Sequence, residues 1–163
     1  HRLDMATSGL MLMARGAERQ RRASADFAQR RVDKRYLARV AGTVAEAAGT
    51  IDLPLSADWP NRPRQQIDTV AGKPSLTRWQ RLAVGEGHSV LLLQPVTGRS
   101  HQLRVHLAAI GHPILGDTLY APPAVRDAAP RLLLHAWRLT APHPDTGEPT
   151  HFESRPPFDC PTA

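Results

Sequence analysis

Hydrophobic and polar positions change period several times along the chain, and each change predicts an element. Leu10-Met11-Leu12-Met13-Ala14 is an unbroken apolar run, the length of a short buried strand. Residues 17–31 place Ala17, Ala25, Phe27 and Ala28 on a thin apolar stripe. Arg19, Arg21, Arg22, Arg30 and Arg31 fall mostly outside it, which predicts a basic amphipathic helix. From residue 34 the period drops to two: Tyr36, Ala38 and Val40 alternate with Leu37 and Arg39, and Gly42 ends the strand. Residues 75–84 form a second strand, Gly85-Glu86-Gly87 a hairpin loop, and Val90-Leu91-Leu92-Leu93 a strand buried on both faces.

Between these strands, residues 51–66 form a Pro-rich connection carrying Trp59, Arg62 and Arg64, the composition of a packed loop or of a base-stacking one. Downstream, Thr97-Gly98-Arg99-Ser100 opens a helix with Ser100 as its N-cap. Leu103, Leu107 and Ile110 point inward, and Gly111 and Pro113 end the helix. Residues 112–120 form a loop with a tight turn at Gly116-Asp117, and 122–130 a short helix or an insert. Residues 131–139 form a strand in which Leu133, His135 and Trp137 alternate with Leu132, Leu134 and Ala136; a turn at 142–147 and a strand at 150–154 close the chain. The pattern describes one α+β domain over residues 1–163, a mixed, largely antiparallel sheet with flanking helices.

Charge narrows the function. The 163 residues carry a formal net charge of +6 and a pI near 10.6, which calls for a polyanionic partner. Of 21 basic residues only Lys34 and Lys73 are lysines, and arginine suits bidentate phosphate contacts and stacking on bases. A GC-rich coding sequence contributes to the same bias. Cys160 is the one cysteine, so no internal disulfide forms and a reducing, cytoplasmic compartment is expected. No apolar run has the length of a membrane span, and no signal peptide is seen.

Several chemistries are excluded. His101 and His106 lie about 140° apart around a helix, and neither His-x-x-x-His nor paired cysteines accompany them, so no metal site is expected. There is no phosphate-binding glycine loop for a nucleotide cofactor and no Gly-x-Ser-x-Gly elbow for a hydrolase. What remains is a lone carboxylate in a hydroxyl- and glycine-rich turn: Asp4, between Arg2 and Thr7-Ser8-Gly9. On its own such an Asp is ordinarily a turn-stabilising side chain.

Five stretches in order change that weighting: His1-Arg2-Leu3-Asp4 with Thr7-Ser8-Gly9, Lys34-Arg35-Tyr36-Leu37-Ala38, residues 98–106, residues 111–117 and Arg131-Leu132-Leu133-Leu134-His135-Ala136. Together they resemble the RluA-type pseudouridine synthases over residues 1–158. Asp58-Trp59-Pro60-Asn61-Arg62-Pro63-Arg64-Gln65 resembles the subgroup acting on both ribosomal and transfer RNA. The resemblance implies the pseudouridine synthase catalytic-domain fold in a fragment lacking an N-terminal portion, and with it one edge of the sheet. It implies isomerisation of uridine in stem-loops of tRNA, 23S rRNA or both, without cofactor or metal, by a monomer. Asp4 would be the nucleophile, attacking either the ribose anomeric carbon or the uracil ring, with Arg104 as its ionic partner and Tyr36 stacked on the target base. Arg2, Arg62, Arg99 and His101 would bind RNA and support base flipping, Arg2 by entering the vacated stack; Leu133 and His135 would wall the pocket. Two other readings stay open on the residues alone: a non-catalytic RNA-binding module using the arginine-rich surface, and a hydrolase releasing free base.

Overall fold

The period-two stretches pair into one sheet. The computed structural model describes residues 2–160. In chain order the elements are β1 (Ser8–Gly9), α1 (Ala17–Ala28), β2 (Asp33–Ala41), β3 (Ala48–Asp52), β4 (Leu55–Ala57), a 3-10 turn at Trp59–Asn61 and β5 (Gln65–Ile67). There follow β6 (Leu76–Gly85), β7 (His88–Pro95), α2 (Gln102–Ala109), α3 (Pro123–Arg126), β8 (Leu134–Pro142) and β9 (Pro149–Glu153). Seven strands form the main sheet in the order β1-β8-β2-β7-β6-β3, with β9 also on β8; β4 and β5 make a separate two-stranded ribbon. Every pairing in the main sheet is antiparallel except β1 on β8. The fold is therefore the α+β arrangement expected, mostly antiparallel with few helices.

Helix α2 lays Leu103 and Leu107 against Tyr36, Ala38, Val40, Leu91 and Leu93, and this is the main core. Leu37, Leu91, Leu93 and Leu107 are each fully buried, and burying a leucine is worth about 1.5–3 kcal/mol. A smaller cluster joins Val32, Leu139 and Ala141 to Leu10, Leu12 and Phe27, which is how the otherwise exposed α1 is held. Register between β2 and β8 shifts at Arg35/Tyr36, so that Trp137 is the extra residue on β8 and Tyr36 stands opposite Ala136. Such a bulge re-aims the side chains beyond it, and Tyr36 lies just past it.

Two local expectations need correction. Residues 10–14 are not a buried strand: β1 stops at Gly9, and Met11 and Met13 are 49% and 80% exposed. Backbone pairing stops with the Leu10 N–H on Ala136 O, so of the apolar run only Leu10 and Leu12 reach the packed cluster. Ser100 does not cap α2, which starts at Gln102 behind His101 in a left-handed conformation (φ 52°) with no side-chain cap. The Gln102 carboxamide pins the entry instead. Its oxygen accepts from the Arg99 N–H (3.0 Å) and the Thr97 hydroxyl (2.8 Å), and its nitrogen donates to Leu76 O and Thr77 Oγ1 (both 3.0 Å). The connection at 51–66 also holds more structure than its prolines imply. β3 gains its order from pairing with β6, and β4 and β5 gain theirs from each other.

Candidate active site

Asp4 is placed by the turn that leads into β1. The Thr7 N–H donates to Asp4 O at 2.9 Å, and Ser8 and Gly9 then run parallel to His135 and Ala136. Gly9 is required there. It sits at φ 108°, and a Cβ at this position would overlap the Ala136 backbone. The pairing is latched by His135, whose Nε2–H donates to Ser154 O (2.8 Å), leaving Nδ1 to accept from the Ser8 hydroxyl (2.8 Å).

The Asp4 carboxylate meets helix α2. Arg104 Nη1 lies 3.5 Å from its Oδ2, and His101 Nε2 lies 3.9 Å from its Oδ1. Arg104 is 4% exposed and donates through Nε (2.8 Å) and Nη2 (2.6 Å) to the two oxygens of Asp117, which is 1% exposed. Burial works against the Asp117 carboxylate, but the hydrogen bonds and charge of Arg104 and the N–H groups of Leu119 and Tyr120 outweigh it and hold its pKa below the usual value. Tyr120 adds its ring, 5.1 Å from the Arg104 guanidinium. The turn that delivers Asp117 depends on Gly116, at φ 76°, where a Cβ would overlap the Arg131 carbonyl.

Tyr36 completes the floor. Burial, reinforced by the negative charge of Asp4, pushes its phenol up to about 12. Near neutral pH Tyr36 is therefore a protonated aromatic surface, not a phenolate base. Around these groups lies a cleft of about 580 Å³, whose rim carries Arg2, Arg30, Lys34, Arg78 and Arg99 against the carboxylates Asp4 and Asp33. Burial lowers the Lys34 pKa, with Asp33 acting in the opposite sense. A basic cleft with a carboxylate and an aromatic ring at its floor suits a polyanion that inserts one planar group.

The residues singled out from sequence distribute as follows. Arg2, Asp4, Tyr36, Arg99 and His101 all line the cleft, and Arg104 stands behind Asp4. Arg62 is not among the lining residues; its guanidinium stacks on Trp59, 3.5 Å from the ring centroid, and the indole is 66% exposed. Leu133 and His135 are not among them either: the wall from this strand is Leu134. Leu133 precedes β8 and belongs to the core, and His135, on the opposite face of the strand from Leu134, belongs to the latch with Ser8 and Ser154. Among the described residues no His, Cys, Asp or Glu group has the makings of a metal site, and no helix is long and apolar enough to cross a membrane.

Residues 1–109 match the family described as RNA pseudouridylate synthase. The chain belongs to this family.

Relatives extend the match over nearly the whole chain. The dual-specificity RNA pseudouridine synthase RluA of Escherichia coli (strain K12) is 47% identical over 159 residues, covering 97% of this chain and 73% of that protein. The enzyme of the same name from Pasteurella multocida (strain Pm70) is 48% identical over the same span, again 97% and 73%. Among solved structures, human RNA pseudouridylate synthase domain containing 1 superposes with a TM-score of 0.82 at 37% identity, covering 97% of this chain and 68% of that one. Membership settles the choice among the three readings of the sequence: the activity is isomerisation of uridine to pseudouridine in RNA, neither passive RNA binding nor release of free base.

Asp117 and Tyr120 are the site residues that sequence reasoning missed. The sequence presents Asp117 as one half of a tight turn and Tyr120 as the end of a loop. The available signal was an acid directly after Gly116, downstream of a helix that carries Arg104 among apolar residues.

Proposed function

We propose that this pseudouridine synthase acts on uridines in stem-loops of tRNA and 23S rRNA, with Asp4 as the nucleophile. The carrying observation is the placement of Asp4 at the floor of a basic cleft, beside Tyr36 and against Arg104. Carboxylates serve as covalent nucleophiles at sugar carbons. The Arg104 guanidinium, 3.5 Å away, restricts the rotamer of this carboxylate.

The target uridine leaves its stack and enters the cleft, which costs a few kcal/mol and least in a loop. Tyr36 stacks on the uracil, and Arg2, at the cleft rim, fills the vacated space. Asp4 attacks the ribose anomeric carbon or the uracil ring, and the bond from the anomeric carbon to N1 breaks. The uracil turns, C5 bonds to the anomeric carbon, the bond to Asp4 breaks and frees the carboxylate, the C5 proton is lost and N1 takes a proton. Nothing is consumed, so the residues present suffice without cofactor. Arg62, Arg99 and His101 contact the RNA, and the exposed Trp59–Arg62 stack offers a flat face to an unpaired base. The loop's likeness to the dual-specificity subgroup and the names of the relatives support two classes of substrate. We place residues 1–163 in one catalytic domain, working as a cytoplasmic monomer on RNA.

The test is tritium release from C5-tritiated uridine in a tRNA anticodon stem-loop and in a 23S rRNA hairpin. Release from both supports the reading. Release from one alone removes dual specificity, and full release by Asp4→Asn overturns the nucleophile.

A further inference from the structure

Tyr120 sits where three parts of the molecule meet. Its hydroxyl oxygen accepts the Gln65 N–H at 2.8 Å, from the far end of the loop that carries Trp59 and Arg62. The same oxygen lies 2.6 Å from His101 Nδ1. Its ring lies beside Arg104 on one side and Arg64 on the other, at 5.1 and 5.7 Å, and Arg64 also donates to Leu119 O.

This geometry selects one histidine tautomer. The Tyr120 oxygen accepts from Gln65, and its O–H is free to donate to His101 Nδ1, the arrangement that leaves the Nε2 proton to face the carboxylate. The imidazole proton is then on Nε2, the nitrogen that faces Asp4 Oδ1 at 3.9 Å. The opposite tautomer would set a lone pair against a carboxylate. The His101 pKa is lowered, first by burial and also by Arg104, against the opposing charges of Asp4 and Asp117; the neutral ring this favours is the form able to accept from Tyr120. Arg104 approaches Asp4 at Oδ2 (3.5 Å) and His101 at Oδ1 (3.9 Å), so each carboxylate oxygen faces a different donor. Contacts of this length in catalytic sites commonly tighten when substrate packs against them.

We propose that Tyr120 is a positioning residue that acts through His101, holding its Nε2–H toward Asp4 and tying the reacting carboxylate to the loop at residues 58–65. The inference rests on the reading of Asp4 as nucleophile. Neither residue takes part in bond making; each narrows the directions from which Asp4 attacks, and misplacement by about 1 Å can cost on the order of 100-fold in rate.

The test uses the full-length protein and a C5-tritiated RNA stem-loop. Tyr120→Phe keeps the ring beside Arg104 and removes the hydroxyl. It is expected to lower kcat roughly 10- to 100-fold with KM and melting temperature close to those of the parent. His101→Asn suits the left-handed backbone at this position but ends short of Asp4, and is expected to lose a similar factor. The double variant should be no slower than the slower single variant, because Tyr120 acts only through His101. An unchanged kcat in Tyr120→Phe overturns the proposal, as do losses that multiply in the double variant. Asp4→Asn is assayed alongside: if it turns over normally, the nucleophile reading has failed, whereas a dead Asp4→Asn beside a fully active Tyr120→Phe removes the relay alone.

Discussion

Arg104 and Asp117 form a two-pronged ion pair at 2.6 and 2.8 Å, with the Arg104 side chain 5% and the Asp117 side chain 1% exposed. The third nitrogen of the guanidinium is the one that faces Asp4. Asp117 thus orients the arginine, and the arginine orients Asp4.

Removing Asp117 leaves a buried guanidinium with only its longer, 3.5 Å contact to Asp4. Asp117→Ala is expected to lose about 3–5 kcal/mol of stability in urea unfolding and most of its turnover. The pair also has an acid signature. The Asp117 pKa is lowered from 3.8, so its contribution is present above that value and lost as pH falls through the lower, folded-state one. Stability followed from about pH 5 to pH 3 should therefore fall less steeply in Asp117→Ala than in the parent.

Asp4→Asn keeps the size of the side chain and its backbone turn while removing the charge. Tritium release should vanish, with RNA affinity and melting temperature close to those of the parent. Filter binding and a melting curve on the same preparation check both halves of this expectation.

The two tyrosines provide an alkaline test. Burial raises both phenols from the usual 10.0, Tyr36 to about 12 with Asp4 adding to the effect. Each contribution to stability is therefore fully present below about pH 10 and is lost as pH rises through the folded-state values. Absorbance at the phenolate band should show no ionisation centred on 10 while the protein is folded, and stability should decline between about pH 10 and 12. A phenolate appearing with a midpoint of 10 in folded protein would contradict the raised value of at least one of the two.

Trp59 tests the RNA-facing loop. Its indole is 66% exposed, so Trp59→Ala should change stability by no more than about 0.5 kcal/mol. Loss of one stacked base is worth about 1–3 kcal/mol, a rise in KM of roughly 5- to 150-fold. Trp79 and Trp137 are 9% and 2% exposed, so quenching of tryptophan fluorescence on adding RNA should come chiefly from Trp59.

Much of the fold follows from local pattern. Alternation through Tyr36, Ala38 and Val40, the apolar block at 90–93 and the glycine hairpin between β6 and β7 each describe neighbours in the chain, and local geometry is what a sequence period records. The same holds for the i, i+4 spacing of Leu103 and Leu107, which places both on the core face of α2. Motif likeness carried Asp4, Tyr36 and Arg104, whose side chains the fold brings to one place.

Other features depend on contacts between residues far apart in the chain. The apolar run at 10–14 has the composition of a strand, but pairing ends at Leu10 and its methionines face outward. Alternation correctly separates Leu134 from His135, yet the face that meets the cleft is set by which neighbours β8 pairs with. Composition offers Ser100 as a cap, but the long-range bonds of Gln102 to Leu76 and Thr77 set the start of α2. Asp117 acquires its role from Arg104, 13 positions earlier, and Tyr120 from Gln65, 55 positions earlier. Patterning along the chain established β2, β6, β7 and the core face of α2, because those depend on neighbouring residues. The ion pair behind Asp4, the tautomer of His101 and the wall of the cleft arise once distant segments are packed together, because a hydrogen bond records proximity in space and not in sequence.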